Sequence, residues 1–157
     1  MALVKGVNSY GTVEEADLYF QDRIDVAAWD TADVAEKAKA LVTSTFNIDA
    51  LEYLGVVSSD SQKLAFPRLG DFFDPRSGKS VSMDPVPDRV LKACYEQAYH
   101  LLNNDGLLDD TGSVMELEIS GVKLTEIKDP RKLSSVAYKL LKPLFVANGS
   151  KMWWRAN

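Results

Sequence analysis

The sequence predicts a mainly α fold: a small helical bundle with one inserted β-hairpin and an extended C-terminal tail. Three observations carry this. Apolar residues recur at helical spacing in four separate segments. One short segment, "MELEISGVKLTEI", instead alternates apolar and polar residues. Strand and helix patterns do not alternate along the chain, which argues against a parallel doubly wound sheet.

The first helix is predicted over about residues 12–23, "TVEEADLYFQDR". Thr12 is its N-cap and Glu15, three residues on, completes a capping box. Glu14, Glu15 and Asp17 crowd the first turn, where the helix dipole favours anions. A longer helix is predicted over 31–54, with Val34, Ala38, Leu41, Val42 and Thr45 on one face. Asp30 or Thr31 would cap it, a break is possible near Asn47, and Gly55 ends it. A third helix is predicted over 86–103. Pro87 suits its start, and Val90, Leu91, Cys94, Ala98, Leu101 and Leu102 make its apolar stripe. Asn103, Asn104 and Gly106 stop it.

The hairpin is predicted over about 114–127. Met115, Leu117 and Ile119 alternate with Glu116, Glu118 and Ser120; Ser120–Gly121 turns the chain; Val122 and Leu124 resume the alternation. Two strands are marginal alone, so helices or a second chain must cover them. The last helix is predicted over 132–144, with Leu133, Val136, Ala137, Leu140, Leu141 and Leu144 in line and Pro143 near its end. Residues 1–145 then form one domain, and 146–157 an extended tail without periodicity.

A chain of 157 residues with 46% hydrophobic content suits one domain with a real core. No run of about 20 apolar residues is present, so no membrane partner is expected. The first residues lack the pattern of a signal peptide. Cys94 is the only cysteine and reads as a small buried apolar residue. His100 is the only histidine, which excludes a multi-histidine metal site within one chain. Charge is lopsided. Residues 1–122 hold 10 Lys and Arg against 21 Asp and Glu, a net −11; residues 123–157 hold 8 against 2, a net +6. An acidic body argues against bulk nucleic-acid binding, while the basic end suits a negative surface.

The catalytic patterns tested are incomplete. Gly78, Lys79 and Ser80 end like a phosphate-binding loop, but Phe73 stands where that loop needs another glycine. Asp105, Asp109 and Asp110 miss the register of a calcium loop, since Leu101 and Leu107 interrupt it. Cys94 and His100 lie six residues apart on one helix and so on opposed faces, unable to pair as nucleophile and base. The expectation is a non-enzyme with no cofactor and no metal.

The stretch "SQKLAFPRLGDFFDPRSGKS" sets Lys63, Arg68 and Arg76 among Phe66, Phe72 and Phe73. Aromatics that stack bases beside cations that follow phosphates would grip nucleic acid. The plainer reading is a loop packed on the helices, since residues 60–80 carry a net charge of only +1 and Pro67 fixes the path. Packing is the preferred reading, with DNA contact as the alternative.

The pattern "GTVEEADLYFQDR … AEKAKALVTSTFNIDALEYLG … SQKLAFPRLG … VPDRVLKACYEQAYHLL … KLLKPLF" resembles a family of small tailed-phage proteins. They are often labelled DnaT-like single-stranded DNA-binding, and are similar to head–tail connector, or adaptor, proteins. The resemblance covers roughly residues 9–145, and its specificity lies in the order of the motifs. It implies a virion structural protein: a ring of twelve copies beneath the portal protein. The ring would extend the DNA channel and dock the next neck or tail protein. Its partners would be itself, the portal, that neck or tail protein and the DNA passing through. It would be made in the host cytoplasm and reside in the virion neck. The alternative is a single-stranded DNA-binding replication accessory protein. In the adaptor reading, Met115, Leu117, Ile119, Val122 and Leu124 of the hairpin face a neighbouring subunit. Lys151, Trp153, Trp154 and Arg155 dock on the portal or a neighbour, because Trp and Arg often dominate interfaces. The alternative for the tail is that a tryptophan folds back on its own subunit.

Overall fold

The computed structural model describes residues 2–103, 114–119, 122–127 and 133–146; for 114–119 and 122–127 the description is of the backbone. The fold is mainly α. The helices are α1 (Val13–Phe20), α2 (Ala27–Thr31), α3 (Val34–Asp49), α4 (Asp88–Asn103) and α5 (Ser135–Leu141), which runs on into a 3-10 turn, Lys142–Leu144. The strands are β1 (Val56–Val57), β2 (Arg68–Leu69), β3 (Asp71–Asp74), β4 (Lys79–Ser82), β5 (Val114–Ile119) and β6 (Val122–Ile127). They pair antiparallel as β1–β2, β3–β4 and β5–β6.

Helix α4 is the axis of the bundle. It packs on α3 and α5, with α1 and α2 covering the rest. Val90, Ala93, Cys94, Tyr95, Glu96, Gln97, Ala98 and Leu101 are all buried, so the helix is enclosed on most sides. Its buried polar groups are satisfied. Glu96 accepts from Arg23 and from the Tyr19 hydroxyl (2.6 Å). The Gln97 amide oxygen accepts from the Ser134 backbone N–H at 2.8 Å, fixing the start of α5. Cys94 is enclosed, with its sulfur 3.0 Å from Ser44 Oγ, and burial pushes its thiol pKa up.

Helix α1 has the Thr12–Glu15 capping box. The helix predicted over 31–54 is corrected at both ends. A separate short α2 precedes it, because the Trp29 indole donates to Asp17 (2.8 Å) and is buried against Phe20. Helix α3 begins after Asp33, not Asp30 or Thr31. The Asp33 carboxylate accepts from the Glu36 N–H (2.7 Å) and Glu36 accepts in return from the Asp33 N–H (3.0 Å). It ends at Asp49, because the Tyr53 hydroxyl takes the Ile48 carbonyl (2.8 Å) and Tyr53 forms an antiparallel bridge with Phe145. The last helix begins at Ser135 rather than 132, with the Ser134 hydroxyl accepting from the Ala137 N–H.

The segment read as a loop between the second and third predicted helices holds the β1–β2 and β3–β4 ladders. Gly55 is required where it stands. Its φ is +71°, and a Cβ there would lie 2.1 Å from the Leu69 carbonyl oxygen. In β5–β6 the backbone pairs Ile119 with Val122 and Val114 with Ile127.

Candidate nucleic-acid interface

The site is built on residues 53–82, so their anchoring comes first. Phe66 is only 2% exposed. Its ring meets Tyr53 edge-on at 4.7 Å and Tyr10 at 6.2 Å. The Tyr10 hydroxyl accepts from the Phe66 N–H (3.2 Å) and donates to Asp49, whose other oxygen accepts from the Ala65 N–H (3.2 Å). Burial raises the Asp49 carboxyl pKa, and burial with that carboxylate nearby raises the Tyr10 phenol. Arg68 is committed to backbone. It donates to the carbonyls of Leu54 (2.7 Å), Gly55 (2.7 Å), Ala65 (3.2 Å) and Tyr53 (3.3 Å).

On this base stands the β3–β4 hairpin. At its end β3 departs from ordinary amphipathic polarity: Asp74 is buried and Phe73 is 63% exposed. The departure has a cause. Arg89 of α4 donates to Asp74 at 2.6 Å, and the Arg76 N–H (3.1 Å) and Ser77 hydroxyl (3.2 Å) also donate to it. The guanidinium of Arg89 holds the Asp74 carboxyl below the usual carboxylate range. With Phe72 and Asp74 turned inward, Phe73 must face out. The tip closes by a Gly78 N–H to Asp74 carbonyl bond of 2.8 Å, and it carries Arg76, whose side chain is 85% exposed, and the exposed Lys79.

Phe73 and Pro75 form one wall of a surface groove of about 1000 Å³. Leu51, Glu52 and Leu54 form another, and Tyr138, Lys142, Phe145 and Val146 the third. Its aromatic lining is continuous with the core: Phe145 lies 5.5 Å from the Tyr138 ring and 5.6 Å from Tyr53, which in turn meets Phe66. The groove therefore offers three aromatic side chains on a rigid base, with Lys142 on its rim and Arg76 and Lys79 on the hairpin that forms one wall. Among the described residues of the lining, Glu52 is the one acidic group.

Of the residues singled out in the sequence, Phe66 and Phe72 are buried and Arg68 is bound to carbonyls, so these three support the site from beneath. Phe73 and Arg76 are brought together on the hairpin, while Lys63 is exposed elsewhere in the preceding loop. Gly78 and Lys79, weighed as part of a phosphate loop, sit in the hairpin turn and at the start of β4. Lys151, Trp153, Trp154 and Arg155 lie outside the described residues, as do the side chains of Met115, Leu117, Ile119, Val122 and Leu124 and the residues Asp105, Asp109 and Asp110. Sequence reasoning missed Tyr138, Lys142 and Phe145 as site residues. "KLLKPLF" signals only a helix end, and the groove joins segments nearly a hundred residues apart.

The fold and groove define a small mainly α body with an aromatic-lined, cation-edged surface groove. Residues 2–156 match the family model described as "Putative DnaT-like ssDNA binding protein", and the chain belongs to that family. Comparison with curated proteins finds no match, and comparison with solved structures finds none.

Proposed function

We propose that this chain is a non-catalytic protein that binds single-stranded DNA along the Phe73–Tyr138–Phe145 groove. The observation that carries the reading is Phe73, an aromatic ring held out to solvent by a buried ion pair, at the edge of a groove lined by two more aromatics. Every base has a π-face, so such rings bind single strands with little sequence preference. Arg76, Lys79 and Lys142 supply the phosphate contacts. The family description points to the same ligand class. The test is a titration of a labelled oligothymidylate across a range of salt. Three phosphate contacts at about −0.7 each give a slope of log K on log salt of about −2. An affinity that does not respond to salt, or a duplex bound more tightly than the single strand, sinks the reading.

A second reading rests on the charge split. A net −11 on residues 1–122 and +6 on residues 123–157 make one part of each subunit complementary to another part of its neighbour. This is the head–tail adaptor, a ring beneath a portal that extends the DNA channel and docks a neck or tail protein in the virion. The hairpin strands β5 and β6 would bury against the next subunit, and an acidic channel wall would let DNA slide because it holds few phosphates. Electron micrographs of the purified protein mixed with a portal ring separate the readings. A ring stacked on the portal supports the adaptor; a monomer that binds single strands supports the first reading.

A further inference from the structure

A carboxylate lines a groove that is otherwise edged by cations. Glu52 is exposed and shares the lining with Phe73, Tyr138 and Phe145. Its place beside the aromatics is fixed by backbone. The Val146 N–H donates to the Glu52 carbonyl (3.4 Å) and the Leu54 N–H to the Leu144 carbonyl (2.9 Å), on either side of the Tyr53–Phe145 bridge. Its side chain has no hydrogen-bond or ion-pair partner among the described residues. A negative group costs affinity for a polyanion unless it contacts something other than phosphate. We propose that Glu52 reads the base and selects guanine, an inference that rests on the single-stranded DNA reading of the groove.

The chemistry of the edges carries the choice. An ionised carboxylate only accepts hydrogen bonds, through two oxygens. A phosphate also only accepts, so the two cannot bond, and the backbone is left to Arg76, Lys79 and Lys142. A base stacked on an aromatic ring has its face covered and offers its edge. In a single strand the Watson–Crick edge has no partner. Guanine shows two adjacent donors there, the ring N1–H and the N2 amino group, which match the two oxygens of one carboxylate. Thymine shows a single N–H between two carbonyls, and those carbonyls repel a carboxylate. Cytosine and adenine each show one amino donor beside a ring nitrogen that accepts. Guanine alone makes the paired bond.

The test compares three strands of equal length by fluorescence anisotropy at fixed salt: plain oligothymidylate, alternating thymine and guanine, and alternating thymine and hypoxanthine. Hypoxanthine keeps the N1–H of guanine and lacks the amino group. A bidentate pair discriminates by roughly 5- to 150-fold, and guanine stands at every second position. The intact protein should therefore bind the guanine strand at least about threefold more tightly than oligothymidylate. Hypoxanthine should forfeit most of that gain. Glu52→Gln should abolish it and bind plain oligothymidylate at least as well as the parent, since a charge that repels phosphate is gone. Glu52 is exposed, and circular dichroism checks that the variant stays folded. Equal affinity of the intact protein for all three strands overturns the proposal and leaves the single-stranded DNA reading standing. A guanine preference untouched by Glu52→Gln overturns it too, and so does a variant that loses all three strands alike. Binding to none of the strands by the intact protein takes down both readings.

Discussion

Arg89 reaches from α4 to donate to Asp74 at 2.6 Å, and a second guanidinium nitrogen lies 3.4 Å from the Leu140 carbonyl. One side chain thus ties the β3–β4 hairpin to α4 and to α5, whose Tyr138 lines the groove. The bond turns Asp74 inward and, by strand alternation, Phe73 outward.

A pH dependence follows from that bond. The folded Asp74 pKa is depressed, chiefly by Arg89. Its contribution to stability is therefore complete above the unfolded carboxylate value of about 3.9 and is lost as pH falls through the lower folded value. Arg89→Met should lower stability at neutral pH and flatten the decline below about pH 4. Denaturation midpoints measured from pH 7 downward check this, and parallel curves for the two proteins would contradict it.

Phe66→Ala should destabilise the fold by about 3–5 kcal/mol, because the ring is buried between Tyr10 and Tyr53 and the fixed Tyr10–Asp49 bond limits collapse into the cavity. Urea denaturation is the measurement; a loss below about 1 kcal/mol would mean that the loop is not anchored through Phe66.

Arg68→Lys should cost about 1.5–3 kcal/mol, since an ammonium cannot hold four carbonyls spread around a planar fork. Its charge is preserved, so the salt slope of DNA binding should not change. A changed slope with unchanged stability would reassign Arg68 to the DNA.

Cys94 should react with a thiol reagent only after unfolding, because it is enclosed and burial raises its pKa. Reaction within the mixing time at neutral pH would contradict the packing of α3 on α4.

Much of the helical frame is legible in the sequence, for local reasons. Thr12 and Glu15 announce α1 by spacing alone. Asp33 and Glu36 carry the same box, but apolar periodicity invites a start further back, and only the burial of Trp29 separates α2 from α3. The end of α3 is illegible because residues 50–54 favour helix locally; Tyr53 is drawn away by Phe145, ninety-two residues later in the chain. Strand β3 defies pattern reading because each face carries one Asp and one Phe: Phe72 and Asp74 are buried, Asp71 and Phe73 exposed, and Arg89 is what makes the burial of Asp74 tolerable. The groove has no motif, since Leu51, Phe73 and Phe145 meet only through the fold.

The most direct test of the central claim compares the intact protein with Phe73→Ala for affinity to one single-stranded oligonucleotide, by fluorescence anisotropy at fixed salt. The ring is exposed, so its loss should leave the fold intact. Loss of one base–aromatic stack should weaken binding by about 1–3 kcal/mol, roughly 5- to 150-fold. Equal affinities in the two proteins, or no binding by the intact chain, would contradict the groove as a single-stranded DNA site.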